Sequence, residues 1–173
     1  MLCPTERTDT NLRPRWRIVL ADDHELIREG VAAVIAREPE LTICGSAADE
    51  KTAAELVARH RPDLLLIDLA ISQRDALSLL RDIITTCPAT RVLALAAYEE
   101  KLYAERLLCS GASGYLVKSA AATELVQAIR VVAGGGTYAN PRLECWGQRI
   151  TNLGSDARAP EWAGARAQSG SSF

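Results

Sequence analysis

Hydrophobic and polar positions divide this chain into short apolar runs alternating with helical repeats. Leu64-Leu65-Leu66-Ile67 is unbroken by a polar residue, follows Pro62 and closes on Asp68, which predicts a strand buried on both faces with a carboxylate at its tip. Arg17 to Ala21, Leu41 to Ala47, Arg91 to Ala96 and Gly114 to Val117 are further short β-rich runs.

Between them the apolar spacing turns helical. Leu26, Ile27, Val31, Val34 and Ile35 share one face before Pro39, with Asp22-Asp23-His24 able to cap that helix. A second helix runs from about Asp49 to Arg59 on Ala53, Leu56 and Val57. Leu77, Leu80, Ile83 and Ile84 mark a third, broken by Cys87-Pro88. Glu99 to Ser110 is a fourth, with Gly111 set for a left-handed cap. Leu125, Val126, Ile129 and Val132 mark a fifth, capped by Thr123 or Ser119 and stopped by Gly134-Gly135-Gly136.

Five strands alternating with five helices imply right-handed crossovers and a doubly wound α/β domain over residues 16–134. Residues 1–15 lack apolar periodicity and read as a flexible leader. Residues 135–173 read as a linker-like extension. The segment after Tyr138, about 35 residues, is shorter than the roughly 40 that usually fold alone.

Composition narrows the class without naming it. With 173 residues, 48% hydrophobic, the chain can bury one normal core. Its longest apolar runs fall short of the ~18 residues of a membrane span, and its start lacks a secretory pattern, so a cytoplasmic protein without membrane contact is expected. A net charge of −2 gives no general drive toward nucleic acid. Five scattered cysteines without a C-x-x-C pair suggest reduced thiols rather than a zinc site.

The chemistry gathers at strand ends. Asp22 and Asp23 follow the first strand, Asp68 ends the third and Lys118 follows the fifth. In an open parallel sheet these carboxyl ends are where ligands bind. Each residue alone has a plain alternative: a helix cap, a loop acid, a solvated lysine. Converging in one cleft, the carboxylates would repel one another unless a cation intervened, and clustered oxygens suit Mg²⁺.

Val19-Leu20-Ala21-Asp22-Asp23-His24, Pro62 to Leu69, Arg91 to Leu95 and Gly111 to Lys118 stand in the order and spacing of one family. Over roughly 120 residues the chain resembles the receiver domain of bacterial two-component response regulators, and Gly135-Gly136-Thr137-Tyr138 is most similar to the LuxR/NarL type. The resemblance implies a flavodoxin-like (βα)5 fold with a five-stranded sheet in the order 2-1-3-4-5. It further implies that Asp68 accepts a phosphoryl group from a sensor histidine kinase or phosphotransfer protein. Mg²⁺ would be held by Asp22, Asp23, Asp68 and the Ala70 backbone carbonyl, while Lys118 would pair with phosphoryl oxygens. The chain would do no enzymatic chemistry beyond its own phosphorylation and dephosphorylation, with His24 at the mouth of the cleft. A homodimer stays open.

The departures from the family pattern matter as much. Where the family has a Ser or Thr at the end of the fourth strand stands Ala96, so the hydroxyl expected there is missing. Tyr115 occupies the position of an aromatic that turns inward, with a half-buried strand tyrosine as the plain alternative. Ile71-Ser72 and Ala76 replace the usual loop residues, and Ser119 replaces a proline, so a trans bond is expected there. Residues 139–173 show no helix-turn-helix pattern and no basic stripe, so DNA binding by this chain alone is not expected. The expected function is a receiver signalling through protein contacts. The alternatives are a pseudo-receiver interaction or dimerisation module with a blunted switch, and a remnant of a LuxR-type DNA-binding regulator.

Overall fold

The computed structural model describes residues 16–71, 76–98 and 101–139. The expected leader at 1–15, the loop at 72–75 with the Ser72 departure, and most of the C-terminal extension lie outside the described residues. Strands β1 (Trp16–Ala21), β2 (Leu41–Ala47), β3 (Leu64–Asp68), β4 (Arg91–Ala96) and β5 (Gly114–Val117) alternate with α1 (Glu25–Ile35), α2 (Glu50–His60), α3 (Ala76–Thr86), α4 (Lys101–Cys109) and α5 (Ala122–Ala133). All pair in parallel, in the order β2-β1-β3-β4-β5.

The sheet has six strands, not the expected five. β6 (Tyr138–Ala139) adds parallel to β5, pairing Tyr138 with Gly114. Two residues are too few to show an alternating pattern, so only the turn before them could have pointed to the strand. That turn rests on Gly135, whose φ of 102° suits a residue without Cβ, and the Tyr138 N–H then donates to the Ser113 carbonyl.

β3 runs through the middle of the sheet, and Leu64, Leu65, Leu66 and Ile67 are buried on both faces. Leu64 and Leu66 join Ile18, Leu20, Leu93, Leu95 and Leu116 against Leu125, Ile129 and Val132 of α5. By strand alternation, Leu65 and Ile67 face the opposite side. Each such side chain contributes about 1.5–3 kcal/mol by leaving water, an upper estimate since the unfolded chain is partly collapsed.

Three local expectations change. His24 stands at the N-cap of α1 without a side-chain cap, because the Asp22 carboxylate is turned back to accept from the His24 N–H at 2.9 Å. α5 begins after Ala121, again without a side-chain cap, so neither Thr123 nor Ser119 serves. Leu26, expected on the buried face of α1, is 79% exposed, because the first turn stands at the rim of an apolar pocket between α1 and α5. The left-handed residue at Gly111 and the trans bond before Ser119 are as expected. Asp49 caps α2 by accepting from Thr52 N, Gly111 has φ 105°, and the described peptide bonds, Ser119 included, are trans.

Candidate functional site

Register brings the charged strand ends to one edge of the sheet. Ala21 pairs with Ile67, Asp68 with Leu95 and Ala96 with Val117, so Asp22, Asp68 and Lys118 emerge at nearly the same height. The Lys118 N–H donates to the Ala96 carbonyl at 2.7 Å, carrying the strand pairing one residue further.

Each buried acid is held by its own turn. Asp68 Oδ1 accepts from the Ala70 N–H at 3.0 Å, as Asp22 Oδ1 accepts from His24 N, the local bond that Asp side chains form two residues on. Arg28, one turn into α1, donates to the Asp22 carbonyl at 2.8 Å and fixes that loop against the helix. The acids therefore keep their second oxygens for the cleft.

Those oxygens meet the lysine. Lys118 Nζ lies 2.7 Å from Asp68 Oδ2, a hydrogen bond, and 2.7 Å from Asp22 Oδ2, an ion pair. Burial works against the charge of this 14% exposed side chain, but the carboxylates of Asp22 and Asp68 that face it outweigh that and hold its pKa above the ordinary lysine value. The angle to Asp22 Oδ2 falls outside hydrogen-bond geometry, so that oxygen is fully buried without a hydrogen-bond donor. Such an atom is costly unless a charge faces it.

Asp23 is half exposed at the rim, and His24 Nδ1 reaches 2.7 Å from its Oδ1 and 3.3 Å from Asp22 Oδ1. One ligand atom each from Asp22, Asp23, His24 and Asp68 lies within 4.8 Å of the others. Three carboxylates, one of them with a buried oxygen that accepts no hydrogen bond, fit a hard divalent cation. The expected residues thus converge, and the structure adds the His24 ring to the cluster. The D-D-H string signalled adjacency, but the direction of the ring depended on the turn that follows Asp22.

Tyr115 is fully buried, so the half-buried alternative does not hold. Its hydroxyl donates to the Tyr98 carbonyl at 2.7 Å. Ala96, half-buried, lines a cavity of about 260 Å³ with Asp68, Ala70, Tyr98, Tyr103 and Tyr115. No residue at position 96 offers a donor there. The described cysteines, Cys44, Cys87 and Cys109, are free thiols, and no helix among the described residues is long and apolar enough to cross a membrane.

This fold and cluster define a phosphoacceptor signalling domain: the chain belongs to the response regulator receiver domain family, whose profile matches residues 18–130. Receiver domains bind Mg²⁺ at an acidic pocket such as the one formed here. The chain is 39% identical over 127 residues to the transcriptional regulatory protein DegU of Brevibacillus brevis, covering 73% of this chain and 54% of DegU. It is 32% identical over 146 residues to the oxygen regulatory protein NreC of Staphylococcus carnosus, covering 83% and 67%. It therefore spans between about half and two thirds of these curated relatives. Among solved structures, the signal receiver domain of NarL from Mycobacterium tuberculosis superposes with a TM-score of 0.67 at 32% identity, covering 71% of this chain and 99% of that one. A LuxR-family two-component response regulator from Aurantimonas sp. SI85-9A1 superposes at 0.71 with 31% identity, covering 82% and 99%. The chain is a LuxR/NarL-type receiver domain of a two-component system.

Proposed function

We propose that Asp68 is the phosphoacceptor, charged by a sensor histidine kinase or phosphotransfer protein in the cytoplasm, and that the domain passes the signal on by protein contacts. The observation that carries this reading is Lys118 held between Asp22 and Asp68, a cation shared by two buried carboxylates at the tips of neighbouring strands.

In the transfer, an Asp68 oxygen forms a bond to phosphorus as the bond from phosphorus to the donor histidine nitrogen breaks, its electron pair returning to the imidazole. Catalysis of this step is positioning and charge neutralisation. The Ala70 N–H holds one Asp68 oxygen and so orients the carboxylate. Lys118, on a flexible stem, is close enough to exchange its contact with Asp68 for one with the incoming phosphoryl oxygens. Asp22, Asp23 and Asp68, with the Ala70 carbonyl, would hold Mg²⁺, which supplies neutralisation of the transferred group when bound. The chain does no further chemistry in this reading. Incubation with a small phosphodonor and Mg²⁺ should label the wild type and not Asp68→Asn; equally little label in both would overturn the assignment.

A second reading is favoured by one observation. Ala96 brings no hydroxyl to the cavity beside Asp68, while the Tyr115 phenol is already buried and bonded to Tyr98. A pseudo-receiver that binds partners or a second copy without switching would look like this. In that case beryllofluoride would bind yet leave the amide resonances of β4, α4 and β5 unmoved; large shifts there would exclude it. DegU is by name a transcriptional regulator. A DNA-directed output of the whole protein would appear as salt-dependent binding to duplex DNA.

A further inference from the structure

Among the described residues His24 brings a ring nitrogen to the acid cluster, its Nδ1 lying 2.7 Å from Asp23 Oδ1 and 3.3 Å from Asp22 Oδ1. In the same cluster Asp22 Oδ2 is buried, accepts no hydrogen bond and is faced by the Lys118 ammonium at 2.7 Å. The ring is brought there by the backbone. The His24 N–H is tied to Asp22 Oδ1, and at the N-cap of α1 the side chain makes no capping bond, so the imidazole lies over the carboxylates instead.

We propose that His24 Nδ1 is a ligand of the divalent-cation site, giving it a mixed nitrogen and oxygen donor set that takes a later first-row ion such as Co²⁺ in preference to Mg²⁺. This rests on the reading of the acid cluster as the cation site. Mg²⁺ prefers oxygen and keeps its waters, so an imidazole adds little to its binding. Imidazole suits the later first-row ions, whose affinities rise along the Irving–Williams order. The ring can offer its Nδ1 lone pair to a cation among the carboxylates when Nε2 carries the proton, the role of each ring nitrogen depending on the tautomer. At 65% side-chain exposure, the far edge of the ring can keep that proton in contact with water.

The test uses the full chain and its His60→Ala variant, which removes the other histidine. Mn²⁺ serves as a paramagnetic occupant of the site, read by pulsed EPR for nitrogen coupling, and is then displaced by Mg²⁺ or by Co²⁺, so that the cysteines do not enter the measurement. Nitrogen coupling is expected in both proteins and lost in His24→Ala, with the Co²⁺ over Mg²⁺ preference falling at least about tenfold. His24→Gln keeps a side-chain N–H for Asp23 but no imidazole, and should behave like the alanine variant. Coupling absent from the wild type or retained in His24→Ala, an unchanged preference, or full rescue by glutamine would each overturn the assignment, the last making His24 a positioning residue. Failure of Mn²⁺ to bind at all would instead overturn the cation-site reading itself.

Discussion

Lys118 and Asp68, fifty positions apart in sequence and two strands apart in the sheet, are joined by a 2.7 Å hydrogen bond across the end of β4. The residue at that strand end is Ala96, whose side chain stops at Cβ. The lysine also pairs with Asp22, so one ammonium holds two like charges together.

Lys118→Met removes that ammonium and leaves two buried carboxylates facing each other. Breaking a fully buried pair costs about 3–5 kcal/mol; with the lysine partly hydrated, a loss of about 2–3 kcal/mol is expected. Urea denaturation would measure it. Millimolar Mg²⁺ should recover part of the loss, because a ligand bound only by the folded state stabilises it.

Replacing Ala96 with Thr puts a hydroxyl into the cavity beside Asp68. A hydrogen bond to a charged group contributes about 1.5–3 kcal/mol, so beryllofluoride affinity should rise about tenfold or more. Isothermal titration reads the affinity, and the amide resonances of Tyr98 and Tyr115 report whether a switch has been restored. Equal affinity in both proteins would mean that position 96 is not the missing link.

Alkaline pH should expose the anchoring of β6. Burial first, then the charge of Glu124 and the bond to it, push the Tyr138 phenol from its ordinary 10.0 up to about 12. A folded pKa above the unfolded one means the native state holds the proton longer. That contribution is whole below pH 10 and is lost as pH rises through 12. Lys118, also raised, weakens on the same alkaline side. Urea midpoints should therefore fall across this window, and less steeply in Tyr138→Phe, which has no proton to lose.

Gly114 sits where β5 is flanked by β4, β6 and α5. A Cβ built there would meet Leu93 Cδ1 at 2.8 Å, Val132 Cγ2 at 2.9 Å and the Tyr138 carbonyl at 3.1 Å. Gly114→Ala should destabilise the domain by about 1–3 kcal/mol through overpacking, seen as a lower Tm in calorimetry. A silent substitution would show that β6 yields freely.

The sequence by itself determined the alternation of strands and helices, the burial of Leu64 to Ile67 and the acid at their end, because apolar period and run length are local properties read directly from residue order. It also determined that Asp22, Asp23 and Lys118 stand at strand ends, and that Gly111 ends a helix with positive φ. Only the tertiary structure decided that β6 joins the sheet, since a two-residue strand has no period and exists through its pairing with Gly114 and Tyr115. It alone decided that Lys118 bridges Asp22 and Asp68, that Tyr115 is sealed inside with its hydroxyl on Tyr98, and that Asp22 bonds His24 instead of capping α1. Those are side-chain directions, set by strand register and by competition for a few backbone donors, and residue order carries no record of which partner wins.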